Sequence, residues 1–175
     1  MMQRRTLLKR LAGLLMGAMG AVLATPAVLY LLDPLRRLRG KQPGVPALPV
    51  ARLDQLPDLD RGEAPLRQSV VARDVRDAWT RFPEVRQGSV WVYRRGDQVF
   101  CLSTVCPHAG CSVDYDEQQR RFVCPCHRST FSLDGKRQDG PSPRDMDSLE
   151  VQVRQGQVFC RYQRFRLATA SKEAI

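Results

Sequence analysis

The chain of 175 residues has room for one membrane segment and one domain of ordinary size, with enough apolar content to bury a core. Its net charge of +10 would suit nucleic acid if it were spread over the folded part, but residues 1–44 alone hold eight Lys/Arg against one Asp, while the remainder holds 20 Lys/Arg against 17 Asp/Glu. The excess therefore brackets an apolar run, which excludes a basic nucleic-acid stripe and points to a membrane surface.

In chain order, residues 1–10 form a basic N-terminus in which QRRTLLK (3–9) resembles a twin-arginine export signal, with Arg4 and Arg5 as the pair. As plain anchoring charges, Arg4, Arg5, Lys9 and Arg10 are balanced by Arg36, Arg37, Arg39 and Lys41, so the positive-inside rule leaves orientation open. Residues 11–32 (LAGLLMGAMGAVLATPAVLYLL) carry no charge. At about 1.5 Å per residue they reach about 33 Å, enough for a hydrocarbon core of about 30 Å, and they exceed the h-region of a cleaved signal. The reading is a retained transmembrane helix. Residues 33–65, rich in proline and basic side chains, read as a flexible linker.

A domain over 66–166 follows, built from short alternating runs: RQSVVAR (67–73), SVWVYRR (89–95), QVFCLST (98–104), RRFVC (120–124), SLEVQVR (148–154) and QVFCRY (157–162). These predict strands. Gly96-Asp97, Asp134-Gly135 and Gln155-Gly156 are placed as hairpin turns, and the longest helical pattern is VRDAWTRF (75–82). The fold class is all-β and antiparallel, with Trp79, Trp91 and Tyr93 assigned to its core and residues 167–175 to a C-terminal tail.

The chemistry is concentrated in CPHAGC (106–111) and CPCHRSTF (124–131), which hold four of the six cysteines and both histidines. Each stretch follows a predicted strand, in a loop where free backbone N–H groups can face a bound cluster. With Cys111 and Cys126 set aside, the donors are Cys106-x-His108, fifteen residues, then Cys124-x-x-His127. A tetrahedral zinc site could use this set, but the finger arrangement places a cysteine pair first and a histidine pair second. One Cys and one His from each half suits a binuclear centre, in which one iron takes the thiolates and the other the imidazoles. Cys101 and Cys160, in Val-Phe-Cys stretches, read as small buried hydrophobes, with a disulfide between them left open.

CPHAGC with CPCH resembles the two binding boxes of Rieske [2Fe–2S] proteins, over about residues 67–166. The resemblance implies a Rieske-like β-sandwich with a cluster-binding loop subdomain. It implies one [2Fe–2S] cluster, with Cys106 and Cys124 on one iron and His108 and His127 on the other, and a disulfide between Cys111 and Cys126. It also implies that Ser129 donates to a bridging sulfide and that GPSPR (140–144) is the proline-rich loop covering the cluster. Two residues depart from the family: Arg128 stands where many members have glycine, and Phe131 where many have a tyrosine whose hydroxyl reaches a cysteine ligand.

With its anchor, the chain is similar to the Rieske subunit of a cytochrome bc-type complex. The implied function is that of the redox subunit of a quinol:cytochrome c oxidoreductase, not catalytic alone. His108 or His127 accepts a proton as the subunit takes one electron from quinol, and the tethered domain swings to a c-type cytochrome. The implied partners are quinol, a cytochrome b-type membrane subunit and that c-type cytochrome. The implied place is the inner membrane, single-pass, with the N-terminus cytoplasmic and the domain on the periplasmic side. The alternatives are a Rieske subunit of an oxidase such as arsenite oxidase, which relays electrons without touching quinol, and a zinc-stabilised module with no redox role.

Overall fold

In a computed structural model, the structure describes residues 4–39, 45–77 and 79–175, and the chain divides into two compact units, 1–44 and 45–175. The first contains α1 (Arg4–Arg39). Its stretch Thr6–Asp33 is long and apolar enough to cross a membrane, and large apolar side chains such as Leu14, Met16 and Leu23 are exposed around it, as a lipid-facing helix requires. The helix runs past both ends of the predicted 11–32 span.

The second unit is three antiparallel sheets, so the all-β expectation is borne out. One sheet orders β1 (Ala47–Arg52), β10 (Gln157–Arg161) and β9 (Glu150–Arg154), and a second orders β2 (Leu66–Asp77), β3 (Thr80–Arg95) and β4 (Gln98–Ser103). The third, small sheet orders β5 (Asp114–Asp116), β6 (Arg121–Val123), β7 (Thr130–Phe131) and β8 (Arg137–Asp139).

The β3–β4 hairpin is the wall between two cores, and the two-residue period of a strand explains how. Val90 and Val92 pack with Val70, Val158 and Cys160 inside the sandwich, whereas Trp91 and Tyr93 pack with Phe122, Phe131, Cys106 and Cys124 beneath the loops. On β4, Cys101 joins the first core and Leu102 the second. A strand buried on both faces reads as the unbroken apolar run VWVY.

Three expectations are corrected. The linker expected over 33–65 is largely structured: α1 continues to Arg39, and Ala47–Arg52 pairs antiparallel with β10. Residues 40–44 lie outside the described residues. Pro49 hid this strand from the sequence pattern, and it is tolerated because β1 is an edge strand whose register shifts between Pro49 and Ala51. Trp79 is not in the core but fully exposed, because Val75↔Phe82 and Asp77↔Thr80 pair across a hairpin and leave it at the tip. The tail expected over 167–175 folds back: Arg166 N–H donates to the Glu173 carbonyl, Ile175 N–H to Arg164, and Ala168 N–H to Pro107 in the first cysteine loop, at 2.8 Å.

Candidate metal centre

The two cysteine-rich stretches fold into matching loops. In the first, between β4 and β5, Cys106 N–H donates to the Cys111 carbonyl at 2.8 Å, and Gly110 N–H donates back to the Cys106 carbonyl at 3.0 Å. In the second, between β6 and β7, Cys124 N–H donates to Ser129 at 2.8 Å and Arg128 N–H to Cys124 at 2.9 Å. Gly110 and Arg128 therefore occupy equivalent places, and both have positive φ, 79° and 59°. The turn demands the left-handed region. Glycine enters it freely in one loop, and Arg128 is held in it in the other.

These loops bring the predicted donors together. Cys106 and Cys124 are buried, each only 1% exposed. The rings of His108 and His127 lie edge to face with centroids 4.8 Å apart. His108 is half-buried and its Nδ1 is enclosed with no hydrogen-bond partner, whereas the His127 ring is exposed. Cys111 and Cys126 are joined in a disulfide that ties the loops, and their sulfurs lie within 4.8 Å of Cys124 Sγ. A disulfide has no thiolate to give, which leaves Cys124 as the free thiol of that trio.

The electrostatics fit a bound cation. Burial pushes the Cys106 thiol up to about 11, with Cys124 beside it adding to the shift. A thiolate there needs positive charge to replace its proton, and an enclosed imidazole nitrogen without a partner carries a desolvation cost that coordination removes. Two buried thiols and an inward-facing imidazole nitrogen, with a second imidazole beside it, suit iron–sulfur ligation.

The segment 140–144 closes over the second loop. Gly140 has φ 90°, and a Cβ on it would lie 2.5 Å from the Ser129 Cα. Only glycine allows that approach. Ser142 N–H donates to Ser129 Oγ at 3.0 Å, which fully buries the Ser129 hydroxyl and leaves its own proton free to be donated. Phe131, fully buried on β7, packs in the same core as Cys106 and Cys124.

Sequence reasoning missed what locks this cover in place. Arg144 forms a bidentate pair with Asp147, Nε to Oδ1 at 3.0 Å and Nη2 to Oδ2 at 2.9 Å, and both side chains are less than a tenth exposed. The same guanidinium donates to the carbonyls of Thr169 and Arg166, at 2.7 and 3.0 Å. It thus joins the covering loop to the C-terminal segment. The only signal was a lone Arg-x-x-Asp in RDMD, which no periodicity distinguishes from surface charge.

The Rieske [2Fe-2S] domain family matches residues 58–165. The menaquinol:cytochrome c reductase iron-sulfur subunit of Bacillus subtilis (strain 168) is 32% identical over 147 residues, covering 82% of this chain and 81% of that protein. The cytochrome b6-f complex iron-sulfur subunit of Chlorobaculum tepidum is 30% identical over 87 residues, 50% of this chain and 48% of that one. Among solved structures, the cyanobacterial plasma membrane Rieske protein PetC3 from Synechocystis PCC 6803 aligns with a TM-score of 0.40 at 26% identity, covering 54% of this chain and 86% of that one.

Proposed function

Because the chain belongs to the Rieske [2Fe–2S] family and carries one such cluster, we propose that it is the electron-transfer subunit of a membrane quinol:cytochrome c reductase. Cys106 and Cys124 would hold one iron of the cluster, and His108 and His127 the other. The observation that carries this is the pair of matching loops: two buried thiols, the enclosed and unpartnered Nδ1 of His108, and His127 beside it at the surface.

When bound, the cluster supplies a one-electron redox change beside the two imidazoles. The protein supplies the rest. With Nδ1 of His108 turned inward, its Nε2 is the atom left to meet a ligand, and the exposed His127 ring offers a second such face. One of them accepts a hydrogen bond from the quinol hydroxyl and takes its proton, and the subunit accepts one electron with it. Burial of both cysteines, the 140–144 cover and the Ser129 hydroxyl keep water from the sulfur side. The electron then passes to a c-type cytochrome, with a cytochrome b-type subunit as the membrane partner.

The apolar helix is the single-pass anchor, with its basic N-terminus cytoplasmic and the domain on the outer side. Menaquinol is named in the Bacillus subtilis relative. A low-potential quinol of that kind also agrees with Phe131, which lacks a hydroxyl. Membranes of a host deleted for this chain should lose quinol-dependent cytochrome c reduction. The wild-type chain should restore it and His127→Ala should not. Undiminished reduction in the deletion host would refute the assignment.

A further inference from the structure

Two thiols that the loop chemistry does not use face each other across the sandwich. Cys101 on β4 and Cys160 on β10 belong to different sheets, both are buried, and their sulfurs are 3.3 Å apart. A disulfide requires about 2.05 Å, so joining them takes a closing movement of about 1.2 Å, within reach of small side-chain rotations. The pair is placed with purpose in the topology. It spans 59 positions, and the chain between contains both cysteine loops and the 140–144 cover. A bond there would staple β4, by which the cluster-binding segment leaves the sandwich, to β10, the strand that pairs with β9 after the chain has returned.

We infer that Cys101 and Cys160 form a second, inter-sheet disulfide in the mature protein. The inference rests on the outward placement of the domain proposed above, since such a bond persists only in an oxidising compartment. In its formation an S–S bond is made between the two Sγ atoms, both thiols release their protons, and the electron pair passes to a disulfide oxidant, which is reduced to two thiols. In the closed sandwich the pair is protected. The hydrogen bond to Cys160, together with burial, pushes the Cys101 thiol far above the usual range. Exchange therefore proceeds through local opening of the β1–β10–β9 sheet, which covers Cys160. Cys126, by contrast, is exposed and open to direct exchange.

The test uses the native full-length protein. Intact cells are treated with N-ethylmaleimide, and the purified protein is denatured in the same reagent without reductant. It is then mapped with chymotrypsin, which cuts after Leu102 and separates Cys101 from Cys106. The expected map shows only Cys106 and Cys124 alkylated, a Cys101 peptide linked to a Cys160 peptide, and the Cys111–Cys126 link. Prior reduction should make all six reactive. Alkylated Cys101 and Cys160 beside an intact Cys111–Cys126 link would overturn this proposal alone. Alkylation of both pairs would overturn it together with the outward placement.

Discussion

Arg128 and Phe131 mark the places where single side chains set this site apart. Arg128 holds φ 59° in a turn whose counterpart is Gly110, and its side chain is exposed. The left-handed region costs an L-residue about 1 to 2 kcal/mol, and glycine gives back about 0.5 to 1 in chain entropy. Arg128→Gly should therefore stabilise the loaded domain by about 0.5 to 1 kcal/mol, read as a shifted denaturation midpoint. An unchanged or lower midpoint would mean that the arginine side chain compensates its own strain. At Phe131, a tyrosine hydroxyl aimed at a ligand sulfur would stabilise the reduced state more than the oxidised one. A differential worth about 1 to 1.5 kcal/mol corresponds to a rise of roughly 40 to 65 mV in Phe131→Tyr. Voltammetry of the loaded protein measures it, and a potential that stays put or falls with the cluster intact would place the ring away from the sulfur. Residue types were legible in the sequence at this scale, since cysteine and histidine spacing encodes donor chemistry directly. The exposure of Trp79 was not. An isolated tryptophan looks the same in a core and at a hairpin tip, and only the cross-strand register separates the two.

Among the elements, the strands with clean alternation were readable, while those defined by distant partners were not. β1 carries Pro49 and exists because β10, more than a hundred positions away, offers it an edge. The C-terminal segment is short and without helical or alternating periodicity, and it is ordered by the Arg144 guanidinium and by backbone bonds to Arg164, Arg166 and Pro107. Neither kind of support has a local signature. The covering loop gives the sharpest test of how elements hold the site. In Gly140→Ala the new Cβ meets the Ser129 backbone at 2.5 Å in a left-handed conformation. Conformational strain of about 1 to 2 kcal/mol and overpacking of about 1 to 3 should together lower stability by about 2 to 5 kcal/mol. Because Ser129 is the residue displaced, the potential should shift as well. Loss of stability without any change in potential would separate the cover from the tuning of the site.

For the whole molecule, the sequence disclosed the division into anchor and domain, because charge and apolarity are segregated so strongly along the chain. It overstated the length of the linker. The proposed order of events is loading in the cytoplasm, export in the folded state and anchoring by α1. On that account Arg4→Lys with Arg5→Lys should leave a loaded domain on the cytoplasmic side although the charge is unchanged. Protease accessibility in spheroplasts reads the outcome, and normal exposure of the double variant would reduce the two arginines to anchoring charges.

The central claim is that the two loops hold one cluster through two sulfurs and two imidazoles. Pulsed EPR of the reduced, full-length protein, with iron and sulfide quantified on the same sample, tests it most directly. The account predicts two iron and two sulfide per chain, as a [2Fe–2S] centre requires, with two distinct imidazole nitrogen couplings and loss of the whole signal in His108→Ala. A reduced signal with no nitrogen coupling, or one that survives that substitution unchanged, would contradict it.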